Sequence, residues 1–195
     1  MTDEATDLAA TARFLYEAGA LKHVRRTGWW MAGIRDPESV AEHSWRTAVI
    51  ATILAQLEGA DAARATLLAV WHDAHETRTG DVTPLAKRYG LAAADAAAIT
   101  SDQTTGMPAG LAQTLTAVVA EYQAQETLEA RCAWDADKLE CMIQGVEYRA
   151  QGHASAQRWI DNSQARLRTE TGRRLANEVL AHEPLSWLRI ANGEG

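Results

Sequence analysis

The chain has 195 residues, 47% of them apolar, and carries a formal net charge of −7. That length suits one well-buried core, so a single domain over residues 1–195 is expected, and the apolar share excludes a disordered chain. The acidic balance argues against a surface that wraps nucleic acid or anionic lipid, no stretch approaches the ~20 apolar residues of a membrane span, and the N-terminus MTDEATDLAA lacks the pattern of a secretion signal, which together imply a cytoplasmic protein.

Helical periodicity dominates from end to end, and no alternating strand of useful length or Asn-Gly hairpin interrupts it; the fold class is all-α, a compact bundle of about eight to ten helices. A first helix is expected over residues 7–24, with Leu8, Ala12, Leu15 and Ala18 on one stripe. RRTGWWMAGI, with two glycines and a tryptophan pair, reads as a structured loop. DPES then opens a second helix to about residue 57, with Asp36 as N-cap and Pro37 at its first position. Asp61 caps a third helix carrying AARATLLAVWHDAHE, which breaks at Gly80 and Pro84. A short segment over 85–88 and an alanine-rich one over 91–99 follow, then a linker TSDQTTGMP. Pro108 starts a helix to about residue 125, a long one covers 127–151, and two or three more occupy 153–190. Cys132 and Cys141 lie nine positions apart in the long helix, roughly 13 Å at helical rise, too far for a disulfide, so they read as buried thiols in a reducing compartment.

Helix phase decides which polar residues face inward. In the second helix Val40, His43, Thr47, Ile50 and Leu54 share a stripe, which puts a histidine among apolar residues. In the third, Leu68, His72 and Glu76 share a face, with Asp73 turned ~100° from His72. In the long helix Ala133, Asp137, Cys141 and Gln144 line one side. A lone histidine on such a stripe is usually a hydrogen-bonded core residue, but buried aspartates need a partner for their charge. Two histidines and two aspartates together suit one divalent cation. Other motifs fail on the same residues: His72 and Glu76 hold the places where a zincin needs two histidines, no Glu-x-x-His pair suits a ferritin-like di-iron bundle, and no P-loop or Gly-x-Ser-x-Gly elbow is present.

RTGW, PESVAEHSWR, HDAHETRTGD and DADKLE, in that order over residues 21–152, resemble the HD-domain phosphohydrolase superfamily, in the branch that contains the 5′-deoxynucleotidases. The resemblance implies metal ligation by His43, His72, Asp73 and Asp137, a catalytic Glu76 beside the metal, and an Asp81 that contacts the substrate sugar. It implies one divalent metal ion, with Mn, Co, Zn, Fe, Ni or Mg as candidates, a small phosphomonoester substrate such as a nucleoside or deoxynucleoside 5′-monophosphate, and a homodimer. Such an ion lowers the pKa of water to ~7 and polarises a phosphoryl oxygen, while Arg26 and Lys138 are placed to neutralise phosphate charge.

Around that set, Trp29 and Trp30 either close the core or stack on a nucleobase, and His75 is out of phase with the doublet and reads as a neighbour, not a ligand. Arg46 and Glu42 read as structural ion-pair formers, Trp134 as packing, and Asp135 as solvated. The chain departs from the family pattern where Ala32 replaces an arginine and Trp30 adds an aromatic, with Arg35 the nearest substitute cation. A di-iron oxygenase on a related scaffold and a non-catalytic nucleotide-sensing module remain alternative readings. The apolar patch of EPLSWLRIANGEG near the C-terminus, at Trp187 and Leu188, suggests docking on the body or on a partner.

Overall fold

In a computed structural model the described residues are 3–89 and 95–194, and they form twelve α-helices and two 3-10 helices. In chain order these are α1 (Asp3–Gly19), a 3-10 turn (Ala20–Lys22), α2 (Gly28–Met31), α3 (Val40–Glu58), α4 (Ala62–Trp71), α5 (Glu76–Thr79), α6 (Pro84–Arg88), α7 (Ala96–Gln103), α8 (Ala109–Ala124), α9 (Leu128–Ala150), a second 3-10 turn (Ala154–Ala156), α10 (Gln157–Gln164), α11 (Glu170–Ala181) and α12 (Ser186–Ala191). Extended pairing among the described residues is limited to an isolated antiparallel bridge between Arg25 and Ser39. No described helix is long and apolar enough to cross a membrane.

α3, α4 and α9 pack on one another and hold the main core, in which Ala51, Ala55, Ala65, Ala69, Ala133 and Ala136 are fully buried. These alanines let the helix axes approach closely, and Leu54, Leu68, Leu139 and Met142 fill the space between them. The five stripe residues of α3, from Val40 to Leu54, are all buried, His43 completely. α1 turns a different face inward from the one its leucines suggest. Leu8 and Leu15 are exposed, while Ala10 and Phe14 are buried with Met107 and Leu115, and Phe14 stacks on Trp71 at 5.7 Å. The aromatic surface of Phe14 outweighs two leucines on the opposite side.

Several boundaries differ from the sequence reading for identifiable reasons. α3 starts at Val40, not at Pro37, because Ser39 accepts the Glu42 N–H and the Glu42 carboxylate accepts the Ser39 N–H, a reciprocal capping box that Asp36 cannot match. RRTGWWMAGI contains one turn of helix, α2. The expected linker is half helix, since α7 continues to Gln103 under an Asp95 cap. The start of the alanine-rich segment, residues 91–94, lies outside the described residues.

Asp135 is the clearest reversal. It is completely buried and accepts the backbone N–H groups of Arg168 and Thr169 and the Thr169 hydroxyl, which fastens the N-terminus of α11 to α9. A buried carboxylate that receives three donors keeps its charge paired. Cys132 and Cys141 are both free thiols.

Candidate metal centre

The third helix of the sequence reading ends where its chemistry begins. α4 stops at Trp71, and residues 72–75 wind into tighter turns in which Ala74 N–H bonds to Trp71 C=O and Glu76 N–H to Asp73 C=O, before α5 resumes. These three-residue steps interrupt the regular α-helical ladder at the point where His72 and Asp73 meet the site. His72 Nδ1 lies 2.7 Å from the Ala69 carbonyl, so that nitrogen donates and the Nε2 lone pair is left to face the site. His43, from α3, is oriented the same way by a different partner: its Nδ1 contacts the Glu140 carboxylate of α9. Glu140 is fully buried and is in turn held by Arg46, whose Nε and NH2 both donate to Oε1 at 3.0 and 2.9 Å.

The ligand atoms of His43, His72 and Asp73 lie within 4.8 Å of one another. Asp73 Oδ2 is 3.0 Å from His72 Nε2 and 3.9 Å from His43 Nε2, and Asp137 Oδ1 is 3.4 Å from His43 Nε2. Neighbouring ligands around a cation with bonds of about 2.1 Å stand about 3.0 to 3.4 Å apart, and two of these three separations fall in that range. Among the described residues His43 Nε2, His72 Nε2 and Glu76 Oε2 are buried without a hydrogen bond. Buried acceptors without a donor are costly, and one divalent cation answers both histidines together with both aspartates. The donor set fits that ion. Asp137 keeps Oδ1 free for it because Oδ2 is occupied by Lys138 and by the Tyr122 hydroxyl at 3.3 Å.

Charge around the cluster is arranged in opposed layers. Burial works against the Arg26 charge, but Asp81 and Asp73 outweigh it and hold its pKa well above the ordinary value; Arg26 lies 3.5 Å from Asp73 Oδ2. Burial, reinforced by Asp73 and Asp81, pushes the Glu76 carboxyl up to about 10. A cation beside Glu76 acts in the opposite sense and restores its capacity to accept a proton.

Glu76, Asp81, Arg26, Trp29 and Lys138 border the same cavity of about 520 Å³ as His72, Asp73 and Asp137. Asp81 also ties two loops: its Oδ2 accepts the Thr27 N–H at 2.6 Å, and its carbonyl accepts the Thr27 hydroxyl at 2.6 Å. The other carboxylate oxygen of Asp81 has no hydrogen bond among the described residues. Trp29 is 2% exposed and donates its indole N–H to Glu38 at 2.9 Å, so it is mainly floor and not a stacking face. Trp30 is not brought to the cavity: α2 turns it outward, half exposed, when it buries Trp29. Ala32 is buried among Trp29, Ile34, Tyr148 and Ala156, away from the lining, and Arg35 is exposed. His75 does line the cavity, with Nδ1 buried and unpartnered.

Sequence reasoning missed Glu140, Tyr122, Lys87 and the face of α10. Glu140 carried a signal, since it stands one turn beyond Asp137 inside DADKLE between apolar neighbours. Tyr122, whose ring lies 5.2 Å from that of His72, carried none.

The HD domain family matches residues 18–179. The chain is 33% identical to the 5′-deoxynucleotidase HDDC2 of Bos taurus over 138 residues, covering 70% of this chain and 66% of the relative. It is 33% identical to the 5′-deoxynucleotidase hdd1 of Schizosaccharomyces pombe over 141 residues, 69% of this chain and 70% of that one. The chain thus spans about two thirds of the length of these relatives. A solved structure of a conserved hypothetical protein from Pyrococcus furiosus superposes with a TM-score of 0.74 at 29% identity, over 88% of this chain and 99% of that one. With the histidines, aspartates and glutamates of its centre lying inside a match that spans most of its length, the chain belongs to the HD domain family.

Proposed function

We propose that the protein is a metal-dependent phosphomonoesterase that removes phosphate from a nucleoside or deoxynucleoside 5′-monophosphate. The observation that carries this reading is the pair of unpartnered histidine nitrogens, His43 Nε2 and His72 Nε2, facing two aspartates beside a buried arginine and glutamate. The names of the relatives support the substrate class. His43, His72, Asp73 and Asp137 are the ligands in this reading, and imidazole with carboxylate accommodates Mn²⁺, Co²⁺, Fe²⁺, Ni²⁺ or Zn²⁺ more readily than Mg²⁺. When bound, the cation neutralises phosphoryl oxygens and acidifies water.

The remaining work falls to the chain's own groups. Arg26, held charged by Asp81 and Asp73, orients the phosphoryl group. Glu76 removes the proton of the attacking water, from a position one turn past His72. Lys138 adds a cation on the side of Asp137 as charge builds on the leaving 5′ oxygen. Asp81, through its free oxygen, accepts from the sugar and through the other holds Thr27 and hence Arg26 in place.

In the same reading the chain is one domain, resides in the cytoplasm, where Cys132 and Cys141 stay reduced, and forms a homodimer. The support for a dimer is an apolar stripe on α3, Trp45, Val49, Ile53 and Leu57, exposed at four-residue intervals. Protein loaded with Mn²⁺ or Co²⁺ releases phosphate from at least one nucleotide, and Asp73→Ala lowers the rate at least 1000-fold, on the order expected when a catalytic metal site is lost. Activity that survives both Asp73→Ala and complete chelation overturns the mechanism.

A further inference from the structure

His72, Asp73, Asp137 and Arg26 line part of a cavity of about 520 Å³, far more than a phosphoryl group fills. α10 lines the same cavity with Trp159, Asn162 and Ser163, and Arg166 follows just past its end. Asn162 and Ser163 stand three and four positions after Trp159, and Arg166 four and three after them, which puts all of them on one helical face.

The tryptophans on this cavity are not equivalent. Trp29 is buried and its N–H is committed to Glu38. Trp134 has Lys138 Nζ 4.2 Å and the Arg168 guanidinium 4.7 Å from its ring centroid, and its N–H donates to the Arg166 carbonyl at 3.3 Å. Its surface is taken by cations. Trp159 is partly exposed, is backed by Trp29 at 5.7 Å with 32° between planes, and makes no hydrogen bond among the described residues. Gly28 matters to its placement, since a Cβ there would stand 3.2 Å from Trp159 Nε1. The loop that carries Arg26 therefore fits closely against the indole. One turn along α10, Asn162 is exposed and its amide has no partner among the described residues.

We infer that Trp159 and Asn162 form a nucleobase subsite: the indole stacks on the base and the amide, donor and acceptor at once, pairs with a base edge. The inference rests on the phosphomonoesterase reading of the metal centre and deepens it by assigning the α10 side of the same cavity to the base. A sugar phosphate without a base leaves this wall unused.

Binding and turnover separate the two ideas. Saturation-transfer NMR on the full-length, metal-loaded protein with 2′-deoxyadenosine, which has no phosphate to lose, reports transfer to the base protons H2 and H8. The transfer falls at least fivefold in Trp159→Ala, persists in Trp159→Phe and weakens in Asn162→Ala. In steady-state kinetics Trp159→Ala raises KM for 2′-deoxyadenosine 5′-monophosphate about tenfold, the scale of one lost base–aromatic stack, and changes kcat/KM for 2-deoxyribose 5-phosphate less than twofold. Asn162 is on the surface, so its variant folds even if Trp159→Ala does not. Absence of transfer to the base protons in the wild type, or equal losses on the nucleotide and the sugar phosphate, overturns the subsite. Base transfer without any hydrolysis overturns the phosphomonoesterase reading and leaves the subsite standing.

Discussion

Glu140 decides more of this site than its sequence position suggests. It never faces the cavity, yet it fixes which nitrogen of His43 carries the proton, and Arg46 holds it rigid through two donors. Carboxylates that orient metal-bound histidines typically change metal affinity 10- to 100-fold when removed. Glu140→Gln keeps the volume but lets the amide present either end to His43, and it is expected to weaken Zn²⁺ or Mn²⁺ binding about tenfold in a chelator competition, with the helical circular dichroism unchanged. Unaltered affinity removes Glu140 from the site. The side chains that converge at the centre were legible because a histidine on an apolar stripe and two aspartates in expected helices break the hydrophobic pattern. Trp29 and Trp30 were not separable, since a single helical turn, invisible to periodicity, decides which of two adjacent indoles is buried.

At the scale of elements, long helices were legible and short turns were not. α9 runs from a Thr127 cap to Ala150, close to the expected 127–151, because capping threonine and three turns of apolar spacing agree. The break after Trp71 had no decisive sequence signal; Ala74 and Glu76 favour continued helix, while His72, Asp73 and His75 oppose it only weakly. The junction of α11 with α9 is tertiary. A Cβ at Gly172 would stand 2.6 Å from Asp135 Oδ2 and 2.7 Å from Thr169 Oγ1, so alanine there forces apart a buried carboxylate and the donors it receives. Gly172→Ala is expected to cost about 2 to 3 kcal/mol, read as a lower midpoint in urea, although alanine is the better helix former. A variant as stable as the wild type contradicts the contact.

The whole molecule buries its charges around α3, α4 and α9 and leaves greasy residues outside. Trp45, at 69% exposure, and the three apolar residues that follow it at helical intervals on α3 make a strip on the outside of the helix that carries His43. α12 adds a second patch, with Leu185, Trp187, Leu188 and Ile190 all exposed, so the C-terminal apolar residues do not dock on the body. A dimer through α3 predicts that Ile53→Glu, which places a charge in the contact, weakens self-association at least tenfold in sedimentation equilibrium while metal content stays unchanged. A wild-type chain that sediments as a monomer at tens of micromolar overturns the dimer.

The bond from the Trp29 indole to Glu38 has a consequence for how the molecule answers to acidity. Burial, and then the charge of Glu140, lifts the Glu38 carboxyl from 4.5 to about 7. Between those values the native chain retains a proton that the unfolded chain has released, so native stability declines as the solution becomes more alkaline, and the loss is complete above about 7. Glu38→Gln still accepts from the indole but has nothing to titrate. Relative to the parent it should be nearly equally resistant to denaturant at pH 4 and about 3 kcal/mol more resistant at pH 8; parallel curves for the two proteins would refute this. That one carboxyl, which does not line the cavity, tilts the fold toward mildly acidic solution, while the lowered carboxyls of Asp73, Asp137 and Glu140 pull the other way.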